Sequence, residues 1–267
     1  MPAEPDILIS VVSHRQGKLV AGLLDDLQAY GDRLYRVVVT INVADELPFD
    51  VNTYDFPVHL IYNQSPKGYA ANQNAAFRSH KSQYFCVINP DIRLKADPFP
   101  ILVNSVDLKQ VGVTAPMVVD TKGEIEVSIR HFPTPVSILI KAFGLGGNHE
   151  YVIGLEPISP DWAAGMFMLF SSKVFEIING FDEKFFLYYE DVDICARLKL
   201  LGYNVVFCPE VSVIHDARRE SHRNPRYLRW HLASISKYFF SKTFLKAVVL
   251  RKYLDYMSQP IPKDRNL

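Results

Sequence analysis

Three stretches of the chain pair residue types that can do chemistry with a setting able to hold them in place. Asn89-Pro90-Asp91 directly follows the apolar run Tyr84 to Ile88. A carboxylate at a strand end, with proline fixing the turn, can bind a hard divalent cation beside phosphate oxygens. Pro and Asp are also common turn formers, and the tripeptide alone reads first as a turn. The second stretch runs from Phe181 to Asp193, where Phe181, Phe185, Phe186, Tyr188 and Tyr189 precede Glu190, Asp191 and Asp193. Acids at a helix start are favoured by its dipole, which explains their position but not the aromatic cluster before them. Aromatic walls shape a sugar pocket, and their low polarity raises a carboxylate's pKa toward that of a useful base. Asp182 reads as the fixer of the turn after Gly180. The third stretch is His215, after the apolar Val211 to Ile214 and before Asp216 and Arg218-Arg219. A structural histidine and a metal–phosphate site, with Arg218 or Arg219 on the phosphate, are both open there.

The elements that must position these residues alternate strand with helix. Ile7 to Val12, Tyr35 to Ile41, Val58 to Tyr62 and Tyr84 to Ile88 read as buried strands. Lys18 to Tyr30, with Leu19, Leu23 and Leu27 on one face, and the Ala-rich Ala70 to His80 read as helices between them. That alternation predicts an α/β fold with a mainly parallel sheet covered on both faces. In such sheets ligands bind beyond the carboxyl ends of the strands. The polar groups delivered there are Ser13-His14, Thr40-Ile41-Asn42, Asn63-Gln64-Ser65 and Asn89-Pro90-Asp91. Further along, Val111 to Val119 and Glu124 to Arg130 are expected strands, and Phe132 to Ser159 a long functional loop rich in Pro and Gly. Ser171/Ser172 predicts a helix start and Gly180 its stop. A helix from Glu190 to Gly202, strands at Tyr203 to Phe207 and Val211 to Ile214, and one amphipathic helix over Arg226 to Lys246 complete the reading.

With 267 residues, 48% hydrophobic and 22% charged, the chain can fill a globular core, which excludes wholesale disorder and collagen-like character. No apolar run approaches the roughly 20 residues that cross a bilayer, and the start Met-Pro-Ala-Glu-Pro-Asp predicts no secretory leader. Cys86, Cys195 and Cys208 lack metal-type spacing and are expected as buried free thiols in a reducing cytoplasm. The net charge is zero, yet residues 214–267 carry 12 Lys and Arg against 4 Asp and Glu. A basic, aromatic end on an acidic body predicts an anionic partner, phosphate groups or a membrane surface, and no nucleic acid. Packing of that end on the body, shielding the site, and self-association into a homodimer through its aromatic face are the alternatives.

Taken in order, Ser13-His14, Asn63 with Lys67 to Asn74, Asn89-Pro90-Asp91, Trp162-Ala163-Ala164-Gly165, Gly180-Phe181-Asp182-Glu183 to Glu190-Asp191-Val192-Asp193, and His215 resemble a family 2 glycosyltransferase of GT-A fold, in the manner of bacterial rhamnosyltransferase-like polysaccharide enzymes. The resemblance spans about residues 7–240. It implies a GT-A catalytic domain over 1–215, with a nucleotide-binding part to about 120 and an acceptor part beyond, and a helical extension over 216–267. It implies Asp91 as metal-binding carboxylate at the Asp-x-Asp position, here with Asn89 where the first Asp often stands. His215 is the implied further ligand of Mg²⁺ or Mn²⁺. Ser13, His14, Asn42, Lys67, Asn72, Asn89, Arg218 and Arg219 are implied on the donor side, and Trp162, Ala164, Gly165 and Tyr189 on the acceptor side. Asp191 is implied as catalytic base with Glu190 beside it. The expected reaction is inverting transfer of one sugar, L-rhamnose from its deoxythymidine diphosphate first, to a glycan or lipid-linked acceptor. It is placed in the cytoplasm or on the inner face of the cytoplasmic membrane. A uridine-diphosphate hexose donor and a non-catalytic nucleotide-sugar-binding module are the alternatives.

Overall fold

Ile7–His14 forms β1, buried along its whole length except at His14. Its alternation feeds two cores. Ile7, Ile9 and Val11 pack with Val20, Leu23 and Leu27 on one face, and Leu8 packs with Val38, Phe85 and Val87 on the other. A strand buried on both faces carries a continuous apolar run rather than an alternating one. The computed structural model describes residues 7–31, 35–143, 145, 150–216 and 225–257; Arg218 and Arg219 lie outside the described residues.

After β1 come α1 (Gly17–Tyr30), β2 (Tyr35–Val43), β3 (Val58–Tyr62), α2 (Tyr69–Ser79) and β4 (Tyr84–Ile88). β2 pairs in parallel with β1 on one side and β3 on the other, while β4 pairs in parallel with the far edge of β1. The chain therefore reverses direction across the sheet between β1 and β4, and a crevice opens beyond their carboxyl ends. His14 and Asn89-Pro90-Asp91 both stand at that crevice.

The remainder comprises β5 (Ile92–Arg93), α3 (Phe99–Val106), β6 (Val111–Val119), β7 (Ile129–Arg130), α4 (Pro135–Ala142), β8 (Trp162–Ala163), β9 (Phe167–Ser171), α5 (Ser172–Ile177), α6 (Glu190–Leu200), β10 (Asn204–His215), α7 (Pro225–Phe239) and α8 (Lys242–Met257). The eight-stranded sheet runs β3-β2-β1-β4-β9-β6-β10-β5, with β7 and β8 paired separately. The α/β class and the mainly parallel, helix-flanked sheet hold. β9 lies antiparallel to both β4 and β6, and β5 antiparallel to β10.

Several boundaries are corrected. The expected loop over Phe132 to Ser159 contains α4, started by a reciprocal cap: Thr134 Oγ1 accepts from Ser137 N–H, and Ser137 Oγ from Thr134 N–H. The expected strand over Glu124 to Arg130 contracts to β7 and a bridge between Val119 and Ile125. The two late strands are one, β10, whose register slips between Cys208 and Ser212, around Pro209, a residue with no ladder N–H to give. The single C-terminal helix is two, parted at Phe240, where Ser241 Oγ accepts from Phe244 N–H at 3.0 Å and starts α8. Ser171 caps α5 without a side-chain hydrogen bond. Gly180 does stop it: at φ +63 its N–H donates to the Phe175 carbonyl at 2.8 Å. Cys86, Cys195 and Cys208 are free and buried, as expected. Among the described residues no helix is long and apolar enough to cross a membrane.

Candidate active site

A cavity of about 830 Å³ fills the crevice beyond β1, β2 and β4. His14, Asn42, Lys67, Asn89 and Asp91 line it, together with Arg15 and Lys18 at the start of α1. Three of the strand-end polar residues build the wall rather than present themselves to a ligand. Asn42 Oδ1 accepts from Lys67 N–H at 2.8 Å and from Asn63 Nδ2 at 2.9 Å, and Asn42 Nδ2 donates to the Lys67 carbonyl at 3.0 Å. Asn72 stands outside the cavity and accepts from Asn63 Nδ2 at 2.7 Å. Ser13 Oγ accepts from Gln16 N–H at 3.2 Å and fixes the turn into α1. An amide spent on backbone groups makes a rigid turn and has little left for a ligand. Burial, reinforced by Arg15, holds the His14 imidazole below its ordinary pKa, which favours the neutral ring that can serve as donor or acceptor.

Asp91 fits a divalent cation. Its Oδ1 is buried without a hydrogen-bond partner in a residue that lines the cavity, and a cation or donor would offset the desolvation of such an oxygen. Its Oδ2 lies 3.4 Å from His215 Nε2. His215 stands behind Asp91 rather than in the cavity wall, and its Nδ1 lies 2.8 Å from Glu126 Oε2. Burial pulls the His215 imidazole down, but the two carboxylates outweigh it and push the pKa up to about 9. Among the described residues no three or more His, Cys, Asp or Glu side chains form a ready cage. A cation taken up in this cavity would meet the Asp91 carboxylate and would need phosphate oxygens and water to complete its shell, as is usual at nucleotide sites.

A second cavity, about 780 Å³, lies between the β7–β8 pair, α4, the start of α6 and α7. Trp162, Tyr189, Glu190 and Asp191 line it, with Arg130 among them. Asp191 Oδ2 accepts from Gly165 N–H at 3.0 Å and Oδ1 from Val192 N–H at 2.8 Å. Burial lifts the Asp191 pKa above the usual carboxylate range, against the pull of those hydrogen bonds and of Arg130. Glu190 is lifted further by its deeper burial and by Asp191, and its Oε2 has no partner. Asp193 is spent on structure, 2.7 Å from Arg197 one turn on. Ala164 and Gly165 act through their backbones: Ala164 N–H donates to the Ser128 carbonyl at 2.7 Å, and Gly165 holds Asp191. Trp162 is pinned by its Nε1 on the His131 carbonyl at 3.0 Å.

Tyr188 lines both cavities. Tyr188 and Tyr189 stand consecutively in the left-handed region, at φ 70 and 68. That conformation costs non-glycine residues about 1–3 kcal/mol each and collects at functional sites. Their rings lie 5.1 and 5.7 Å from the His231 ring of α7. The loop is held on its other side by α2. Asn74 bonds both ways with the Phe181 backbone, and Tyr69 N–H donates to the Phe186 carbonyl at 2.7 Å. Gly68 permits that approach, since a Cβ there would sit 2.8 Å from the Phe186 backbone. Tyr69 also joins the halves: its hydroxyl donates to the Gly165 carbonyl at 2.8 Å and stands 3.4 Å from Asn89 Oδ1. Asp91 and Asp191 therefore lie in different but adjoining hollows.

Two similarities decide the class. A family model described as the N-terminal domain of galactosyltransferase matches residues 158–223, from just before β8 through β10. The rhamnosyltransferase WbbL of Escherichia coli (strain K12) is 29% identical over 252 residues, 90% of this chain and 94% of the relative. Over nearly its whole length the chain is similar to a glycosyltransferase. The chain is also 27% identical over 169 residues, 57% of this chain and 52% of the relative, to an N-acetylglucosaminyl-diphospho-decaprenol L-rhamnosyltransferase of Mycobacterium tuberculosis. Its fold matches GalNAc-T7, solved with UDP, GalNAc and Mn²⁺, at a TM-score of 0.64 and 14% identity, over 86% of this chain and 48% of that one. The fold is therefore GT-A, and the family 2 resemblance stands.

Glu126, Arg130, His231 and the place of Tyr188 in both cavities had no sequence signal of their own. Tyr69 stood within the Lys67 to Asn74 motif, and Trp230, whose ring lies tilted 4.8 Å from that of Phe186 beside the first cavity, stood within the basic aromatic helix.

Proposed function

We propose that the transferase moves one sugar, with inversion, from a nucleoside-diphosphate sugar to a hydroxyl of a glycan or lipid-linked acceptor in bacterial surface-polysaccharide assembly, with deoxythymidine-diphosphate-L-rhamnose as donor. The observation that carries this reading is the pair of hollows sharing Tyr188, one offering the free Oδ1 of Asp91 and the other a desolvated Asp191. The rhamnosyltransferase relatives support the donor, and the diphospho-decaprenol in one relative's name supports the acceptor class.

In this scheme His14, Lys67, Asn89 and Asp91 bind the donor, with Lys67, Arg15 and Lys18 as cations for the diphosphate. A divalent cation, Mg²⁺ or Mn²⁺, would be held by Asp91 and His215 and would neutralise charge on the departing diphosphate. Asp191 accepts the proton of the acceptor hydroxyl as its oxygen bonds the anomeric carbon and the carbon–diphosphate bond breaks on the opposite face. Gly165 N–H keeps the Asp191 carboxylate aimed. Trp162 and Tyr189 wall the acceptor. A binding module would have no use for two carboxylates buried side by side at great desolvation cost. The decisive experiment incubates the protein with deoxythymidine-diphosphate-rhamnose, uridine-diphosphate hexoses and a lipid-linked N-acetylglucosamine acceptor. Acceptor-dependent release of deoxythymidine diphosphate, with a rhamnosylated product of inverted configuration, is expected; binding without release would return the protein to the binding-module reading.

The same reading keeps residues 1–215 as catalytic unit, 216–267 as an extension that adds walls to both hollows, and the cytoplasmic membrane's inner face as workplace. α4 turns Ser137, Ile138 and Lys141 toward the second cavity and leaves Val136, Leu139, Ile140 and Phe143 exposed on its opposite side. Leu245 and Val249 of α8 are exposed too, beside Lys242 and Lys246. Apolar side chains interspersed with cations suit an anionic bilayer. Co-flotation with phosphatidylglycerol vesicles, lost in Leu139→Glu/Phe143→Glu, is expected; concentration-dependent self-association abolished by the same changes would assign the surface to a second copy.

A further inference from the structure

Glu126 has no part in the scheme above, yet its carboxylate lies nearer to His215 than Asp91 does, 2.8 Å from Nδ1 against 3.4 Å from Nε2. The two ring nitrogens are thus taken up on opposite sides, one by each carboxylate. Both partners of the shorter contact hang on one strand. Glu126 N–H donates to the Val118 carbonyl of β6 at 2.9 Å, and Ile125 bridges Val119. His215 follows Ile214, which pairs with the same Val119. β6 therefore sets the spacing between the two side chains before any ligand arrives. Glu126 is partly exposed and does not line the donor cavity, so direct contact with the diphosphate is not its role.

An imidazole that donates Nδ1–H to a carboxylate has its plane fixed, and its Nε2, once a cation displaces the proton it turns toward Asp91, is a better donor to a metal. We propose that Glu126 is a positioning residue that holds His215 so that Nε2 faces the Asp91 side of the donor cavity, where a divalent cation is taken up. This rests on the glycosyltransferase scheme for the identity of the cation site, but the Glu126–His215 contact itself does not.

The test separates the two. Free Mn²⁺ is titrated by electron paramagnetic resonance with saturating deoxythymidine diphosphate and no sugar, so turnover plays no part. Glu126→Ala is expected to raise the Mn²⁺ dissociation constant about 10- to 100-fold. Glu126→Gln retains an acceptor oxygen and is expected to stay within a few-fold of wild type. Because Glu126 acts through His215, Glu126→Ala/His215→Ala binds no more weakly than His215→Ala. Wild-type affinity in Glu126→Ala, or a further full loss in the double variant, overturns the proposal. In parallel, nitrogen-15 NMR follows the His215 Nδ1–H, expected in wild type and Glu126→Gln and lost in Glu126→Ala in the metal-free protein; its persistence in Glu126→Ala also overturns it. Failure of wild type to bind Mn²⁺ would remove the cation site and with it the proposed purpose, while the NMR arm still decides whether Glu126 holds the ring. Unchanged thermal unfolding of Glu126→Gln guards against misfolding as the cause.

Discussion

The cavity in front of Asp91 is made of polar turns at strand ends, while the cavity around Asp191 is made of aromatic side chains and a helix start. In the first, Asn42, Asn63 and Asn72 spend their amides on one another and on Lys67, giving a stiff, polar rim suited to a charged group that varies little. In the second, Trp162 and Tyr189 surround two carboxylates that burial drives toward protonation. Holding a diphosphate calls for preorganised dipoles and charge; making a carboxylate basic calls for taking water away from it. The two demands conflict within one pocket, and here they fall to two adjoining ones that share Tyr188.

That contrast can be broken by substitution. Asp191→Asn should reduce kcat by about 10²- to 10⁴-fold while calorimetry shows deoxythymidine diphosphate binding unchanged; comparable turnover would remove Asp191 from the base role. Asp91→Ala should do the reverse, weakening nucleotide binding and the response to Mn²⁺ together by about tenfold or more, roughly 1.4 kcal/mol. Equal activity with and without chelator, in wild type and variant alike, would end the cation assignment. Tyr188→Ala should merge the hollows and admit water, so that free sugar rises several-fold relative to transferred sugar on product analysis. The smallest effect concerns pH. Asp191 must be unprotonated to act and its pKa is raised by burial, so kcat should fall with acidification at a pH above the ordinary aspartate value of about 4. Arg130 opposes that rise; Arg130→Met should therefore shift the acid limb to still higher pH. A limb at the ordinary value would mean that Asp191 is solvated in solution.

Much of the lining of the first cavity was legible because it follows from chain order. An apolar strand that stops at a polar tripeptide, as Tyr84 to Asp91 does, marks both the element and the crevice beyond it. The acid cluster was legible only by its composition; that Asp193 pairs with Arg197 while Asp191 faces Gly165 depends on helix phase and on a loop 26 residues away. Glu126 could not be read, since its partner is 89 residues on and only the pairing of β6 with β10 joins them. β9 was hidden for a related reason: an antiparallel strand set into a parallel sheet carries no crossover helix to announce it. α4 was hidden by its inverted pattern, with the apolar side chains outside and a serine-based cap in place of the usual acidic one.

α7 leans on the loop between α5 and α6 at successive turns, through Trp230 on Phe186, His231 on Tyr188, Ser234 on the Leu187 carbonyl and Lys237 on the Lys184 carbonyl. One rod thus serves as a latch for two rooms. Because the loop it braces borders both cavities through Tyr188, a displacement of the rod would disturb both together.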